Sequence, residues 1–122
     1  MAGSFLFSVT EKWDFGMYLI IFEVYPHIDQ KDRYFELAAQ LLETLHQQPG
    51  FVHVERFQSL VDEGKILSMS CWESEESIAN WRHHADHMIV QAEGRERIFA
   101  SYRLRVVEVK REYSFSSADE TA

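Results

Sequence analysis

The stretch that decides the fold is FVHVERFQ (51–58), then SLVDEGK (59–65), then ILSMSCW (66–72). Residues 51–60 and 66–72 are rich in β-branched and aromatic side chains. Between them, Asp62-Glu63-Gly64-Lys65 is a polar turn containing glycine. Two such runs joined by so short a connection predict an antiparallel hairpin. Strict alternation would place Phe51, His53, Glu55 and Phe57 on one face, and Val52, Val54, Arg56 and Gln58 on the other.

Each side of the hairpin carries a strand and a helix. Upstream, Tyr18-Leu-Ile-Ile-Phe-Glu-Val-Tyr25 predicts a strand stopped by Pro26. Asp29 is a candidate N-cap for the helix that follows, in which Tyr34, Leu37, Ala38, Leu41, Leu42 and Leu45 recur at helical spacing. Pro49-Gly50 then turns the chain. Downstream, Ser74 is placed to cap a second helix, with Ser77 where a capping box prefers Glu. That helix runs through Ile78, Trp81, Ala85, Met88 and Ile89 past Gln91, and Gly94 offers a break. After a turn at 95–99, residues 101–113 predict the last strand.

The resulting order is β-α-β-β-α-β. It predicts an α+β, ferredoxin-like fold: a four-stranded antiparallel sheet with two helices on one face. The domain spans 18–113, between an N-terminal arm at 1–17 and a flexible tail at 114–122. Phe5, Phe7, Trp13 and Phe15 predict that the arm is an added strand or a packed segment. The sheet face without helices needs a cover, and a homodimer packed face to face supplies one.

Composition narrows the function. The chain has 122 residues, 46% of them hydrophobic and 26% charged, which describes one globular domain. A net charge of −8 disfavours nucleic acid and anionic lipid. The longest apolar run, Met17 to Phe22, is six residues, against the roughly 20 that a spanning helix needs. The single cysteine, Cys71, fits a reducing compartment, so a cytoplasmic location is expected, with no membrane partner. Aromatic residues reach 14%, a surplus that small domains give to a partner subunit or a ligand pocket.

The second helix holds the densest chemistry. Trp81, His84, Met88 and Gln91 follow one another by three, four and three residues and share a stripe, with His87 beside it. A histidine near neutral pH can serve as a general base, so His84 and His87 are the catalytic candidates. The Trp81 indole offers a flat wall for an aromatic ligand. Phe22 or Glu23 on the first strand, and Tyr102 or Arg103 on the last, would face this stripe and complete a substrate site. His83 and His87 have a metal-compatible spacing without further ligands in a matching pattern, so no metal site is expected. Residues 95–111 hold six of the twelve basic side chains, a local +4 that acids across strands can balance. No phosphate loop, Ser/His/Asp order or CxxC motif is present.

Several segments carry a resemblance: Tyr18–Pro26, Pro49-Gly50-Phe51, Glu55-Arg56-Phe57-Gln58-Ser59-Leu60, Leu67–Trp72, the Trp81-Arg82-x-His84-x-x-His87 helix, and Tyr102-Arg103-Leu104-Arg105-Val106. Together they resemble the antibiotic biosynthesis monooxygenase family over about 18–113. The resemblance implies a dimeric α+β barrel. It also implies a cofactor-independent monooxygenase, in which a deprotonated aromatic or quinol-like substrate passes an electron to O2. The family also contains haem-degrading members, whose pattern is an Asn on the first strand, a Trp on the second helix and a haem-ligating His beyond it. Trp81 matches, but Gln91 stands at the His position in an ungapped alignment, and Tyr18–Tyr25 contains no Asn. Cofactor-free chemistry is therefore the expectation, with haem or flavin as alternatives. The other functional readings are a non-catalytic dimeric small-molecule binder and a structural protein.

Overall fold

The computed structural model describes residues 9–12, 16–92 and 95–117, with side chains over 16–89 and 96–117. Its elements are β1 (Val9–Lys12), β2 (Tyr18–Pro26), α1 (Lys31–Leu45), β3 (Phe51–Gln58), β4 (Ile66–Trp72), α2 (Glu75–Ala92), α3 (Arg95–Ile98), β5 (Phe99–Glu108) and β6 (Glu112–Phe115). The main sheet has the order β3-β4-β2-β5 with every neighbour antiparallel. This is the ferredoxin-like arrangement that the β-α-β-β-α-β order predicts. β2 lies at its centre, which is why both faces of that strand are apolar over Leu19–Phe22.

The register writes rows of side chains across the sheet. On the face that meets the helices they are Phe51–Trp72–Tyr18–Glu108, Val54–Ser70–Ile20–Val106, Arg56–Ser68–Phe22–Leu104 and Gln58–Ile66–Val24–Tyr102. Strict alternation in β3 fails at one point. A bulge between Phe51 and His53 inserts one residue, Val52, into the ladder. Phe51 thereby joins the helix side with Val54 and Arg56, while His53, Glu55 and Phe57 stay opposite.

The helices start differently. α1 begins with Gln30 at the N-cap and no side-chain cap, so Asp29 does not take the expected role. The Gln30 N–H donates to the His27 carbonyl, and this closes a turn that holds Asp29 out in solvent. At α2 the serine expectation holds. Ser74 Oγ accepts from the Ser77 N–H at 3.1 Å, and Ser77 Oγ donates back to the Ser74 carbonyl at 2.7 Å. Only the Ser74 half of a capping box is formed, since the second hydroxyl donates to a carbonyl and does not accept the Ser74 N–H as a glutamate would.

The expected last strand, 101–113, is two strands. β5 ends at Glu108 because its partner β2 starts at Tyr18, directly opposite, and the ladder has no further rungs. Val109 N–H still reaches the Met17 carbonyl at 3.0 Å. The chain then pairs β6 with β1 as a separate antiparallel ribbon. Residues 9–12 therefore form an added strand, and Ser114 and Phe115 belong to β6 rather than to a tail. Phe5, Phe7, Trp13 and Phe15 lie outside the described residues.

The core falls into two clusters. One joins Val24, Tyr34, Leu37, Ile66, Ile98 and Phe99; the other joins Ile20, Leu45, Trp72 and Ile78. Phe22 packs partly buried against both. No described helix is long and apolar enough to cross a membrane.

The turn before β3 fixes how α2 meets the sheet. Gly50 has φ of +83°, and its carbonyl accepts the Glu73 N–H at 2.8 Å. A Cβ there would stand 2.6 Å from the Ser77 Cβ. A left-handed non-glycine residue costs about 1–3 kcal/mol, and this contact adds to it. Gly50→Ala should lower the urea midpoint without changing the m-value. Adding Ser77→Gly should recover only part of the loss, because it removes the contact and leaves the backbone strain. Full recovery would show that the clash is the whole cost.

Candidate functional site

Between the two core clusters, α1 and α2 stand over the sheet around a cavity of about 340 Å³, a size within the range of small-molecule sites. Small side chains make this space. Ala38 of α1, Ala85 of α2, and Ser68 and Ser70 of β4 all line it where larger residues would close the layer. The apolar wall includes Phe22, Leu41, Trp81, Ile89, Phe99 and Leu104.

One wall is built on a buried indole. Trp72 is fully buried, and its Nε1 donates to Ser70 Oγ at 2.8 Å. Trp81 stacks on it at 6.3 Å between ring centroids, with 27° between the planes. Phe51, turned inward by the bulge, meets Trp72 edge-on at 5.4 Å. Across the cavity, Phe22 lies 5.3 Å from Tyr102 and 6.2 Å from Phe99. Aromatic faces thus stand on both sides of the space.

The polar lining is sparse and specific. Arg56 enters from β3, Arg82 and Asp86 from α2, and Tyr34 and Tyr102 from α1 and β5. Burial raises the Tyr34 hydroxyl pKa above its ordinary value, while the nearby Arg56 guanidinium pulls the other way.

Three of the sequence candidates, Trp81, Phe22 and Tyr102, line this cavity. His84, His87 and Met88 do not contribute to its wall. His84 is exposed, with its ring 6.2 Å from that of Trp81; His87 is exposed as well. The side chain of Gln91 lies outside the described residues. Arg103 pairs in register with Glu23, on the sheet face opposite the cavity, where its charge helps lower the Glu23 pKa behind the larger effects of Lys65 and Arg105. The inward line on α2 is Ile78, Trp81, Ala85 and Ile89, one residue round from the expected Trp81–His84–Met88 stripe. The apolar spacing of the helix contained this line. An alanine carries no chemistry to mark it, whereas the neighbouring histidines do. Arg56 and Ser68 were missed because a strand residue gains its meaning only from the face it takes. Among the described residues, no three His, Cys, Asp or Glu side chains cluster to hold a metal.

Such a fold and cavity define a class, the ferredoxin-like domains with a pocket between helices and sheet. The model of the antibiotic biosynthesis monooxygenase family matches residues 17–93, and the chain belongs to that family. A jasmonate monooxygenase from Pyricularia oryzae is 39% identical over 93 residues, 76% of this chain and 43% of the relative. The chain thus spans less than half the length of that protein. An uncharacterized Bacillus subtilis protein, YqjZ, is 34% identical over 82 residues, covering 67% of this chain and 70% of its own. Among solved structures, SnoaB, a cofactor-independent oxygenase from Streptomyces nogalater, superposes with a TM-score of 0.65 at 9% identity, covering 78% of this chain and 94% of that one. A Shewanella oneidensis protein gives 0.68 at 8% identity, covering 85% and 98%. At such identities the two structures speak for the fold alone.

Ala85→Phe should fill the cavity from the α2 side and abolish binding of a planar probe such as 2-naphthol, with the helical circular dichroism signal retained. Trp81→Ala should weaken the same probe while costing less than the ~3–5 kcal/mol of a fully buried aromatic truncation, since Trp81 is half-buried. Unchanged probe affinity in both variants would place binding outside this cavity.

Proposed function

We propose that the protein is a cofactor-independent monooxygenase that oxidises a small aromatic or quinol-like substrate with O2 in this cavity. The observation that carries the reading is the aromatic-walled cavity, bounded by Trp81, Phe22 and Tyr102, in a chain of this family. An electron-rich ring, once deprotonated, can itself reduce O2. The protein then supplies orientation, a low-dielectric space and stabilisation of the anion. For an anthrone, the ring methylene becomes a carbonyl carrying one atom of O2, and the other atom leaves as water. The name of a similar protein, a jasmonate monooxygenase, supports the same reaction class.

The cavity wall holds no imidazole, thiolate or thioether among the described residues, and Tyr34 and Tyr102 are its side chains of a type that can ligate a haem iron. We assign His84 a positioning role through Trp81, while His87, exposed and outside the cavity wall, takes none. His84→Ala should then raise KM more than it lowers kcat, whereas loss of a base would lower kcat with binding unchanged.

The reading includes a homodimer in a reducing, cytoplasmic setting. Leu19, Ile21, Met69 and Val107 share the sheet face that the helices leave open. At its centre Glu23 is bridged by Lys65 at 3.0 Å and Arg105 at 3.2 Å. Sedimentation equilibrium at micromolar protein should give twice the chain mass, and Val107→Glu should shift it towards the monomer, because an unpaired charge there would be buried. A parent protein that sediments as a monomer would remove the dimer.

Oxygen uptake with a panel of quinols and anthrones, in chelator and without added flavin or haem, tests the reaction. Turnover with one labelled oxygen atom in the product is expected. Saturable binding of these compounds without oxygen uptake would instead favour a non-catalytic small-molecule binder.

A further inference from the structure

The cavity is not uniformly apolar, and its two ends differ in charge. On α2, Arg82 and Asp86, four residues apart, both border the cavity, so that side carries a carboxylate as well as a cation. On the β3 side the arrangement is different. Arg56 stands directly opposite Ser68 in the antiparallel register, and Ser68 is in turn opposite Phe22. Paired residues on one face hold their Cβ atoms about 4.5–5.5 Å apart, close enough for one ligand group to touch both. The neighbours of Arg56 along its own face are Val54 and Gln58, neither of them acidic. Glu55 borders the cavity, yet its carboxylate reaches the opposite sheet face, where it meets His53 Nε2 at 3.8 Å.

Arg56 is also held in place. Its guanidinium lies 6.0 Å from the centre of the Phe35 ring on α1. It also stands beside the buried Tyr34 hydroxyl, in the same turn of α1. Three donors therefore converge at one end of the cavity: a guanidinium, a half-buried serine hydroxyl and a phenol. Trp81, Phe22 and Leu104 form the apolar remainder. In a chain of net charge −8, an anion is repelled at long range and binds only where such a local cation is built.

We propose that the cavity takes an amphipathic organic acid, a compact apolar body bearing one carboxylate, with the carboxylate held by Arg56, Ser68 and Tyr34. The proposal rests on the cavity being the substrate site, and it adds the class of substrate. The acid group anchors the molecule at the β3 end, which leaves its apolar body between Trp81 and the Phe22–Tyr102 pair. A monooxygenase so built would oxidise an electron-rich ring within that body, the ring itself supplying the electrons that take the second oxygen atom to water, and leave the carboxylate untouched.

Isothermal titration with 2-naphthylacetate and its neutral amide separates the two ideas. The parent should bind the acid at least tenfold more tightly than the amide, the scale of a charge-assisted hydrogen bond. Arg56→Gln should remove that preference and leave the amide within about twofold, since hydrogen bonds to neutral groups contribute less. Arg56→Lys should retain part of it, and Ser68→Ala should lose a few-fold. Arg103→Gln, on the other sheet face, should change nothing. Arg56 and Arg103 are exposed, so their substitutions leave the core intact. Equal binding of acid and amide would overturn the anion end. So would a preference that survives Arg56→Gln or falls only with Arg82→Gln. In each case Trp81→Ala would still weaken both ligands, and the cavity reading would stand. Failure of both ligands to bind, or indifference to Trp81→Ala, would remove the cavity reading and this proposal with it.

Discussion

Burying an indole requires a partner for its N–H, and in this protein that requirement organises the sheet. Trp72 is fully buried, and Ser70, two residues back on the same face of β4, accepts its hydrogen bond. Strand periodicity alone makes this pairing possible, because positions i and i−2 point the same way. With the polar edge satisfied, both faces of the ring are free for packing. Phe51 takes the edge and Trp81 the face. An isosteric loss at Ser70 would leave the N–H stranded, at a cost of about 1–3 kcal/mol. It would also loosen the ring against which Trp81 is set.

The site inherits its geometry from that packing. Trp81 is half-buried because one face lies on Trp72 and the other side borders open space. The space exists because Ala38, Ala85, Ser68 and Ser70 meet where two helices cross over the sheet. Larger residues at these positions would merge the two core clusters into one. The protein forgoes that packing and keeps a cavity, a departure from close packing of the kind that marks binding sites. Phe22 belongs to both clusters and bridges the gap.

Charge is distributed with the same economy. The open sheet face carries Glu23 between Lys65 and Arg105, and the Lys65 hydrogen bond leads in holding that carboxyl below its ordinary pKa. Arg103 adds to the same group. The basic surplus of the last strand is therefore largely spent on a carboxylate across the sheet. Arg56, from a strand with little basic character, is the cation that faces the cavity beside neutral donors. Which arginine faces the cavity was settled by strand face, not by local charge density.

The sequence by itself determined the order of elements, the antiparallel hairpin, the serine cap of α2, and three wall residues, Trp81, Phe22 and Tyr102. These follow from periodicity, turn chemistry and the bulk of aromatic side chains, all of which act over a few residues. Other features came only with tertiary structure. The bulge after Phe51 moved that one side chain to the helix side of β3, and no residue there announces it, since Val52 fits a strand as well as its neighbours do. β5 stopped at Glu108 because β2 begins opposite, a fact about a partner ninety residues earlier. The inward line of α2 passed through Ala85 instead of His84, because helix rotation is fixed by what Trp72 and Ile78 need to bury. Strand register likewise put Arg103, expected at the site, on the opposite sheet face, and Arg56, for which no role was expected, on the cavity side. A side chain's meaning in a sheet depends on a register set by its neighbours, and a shift of one residue turns it from the ligand to the opposite face.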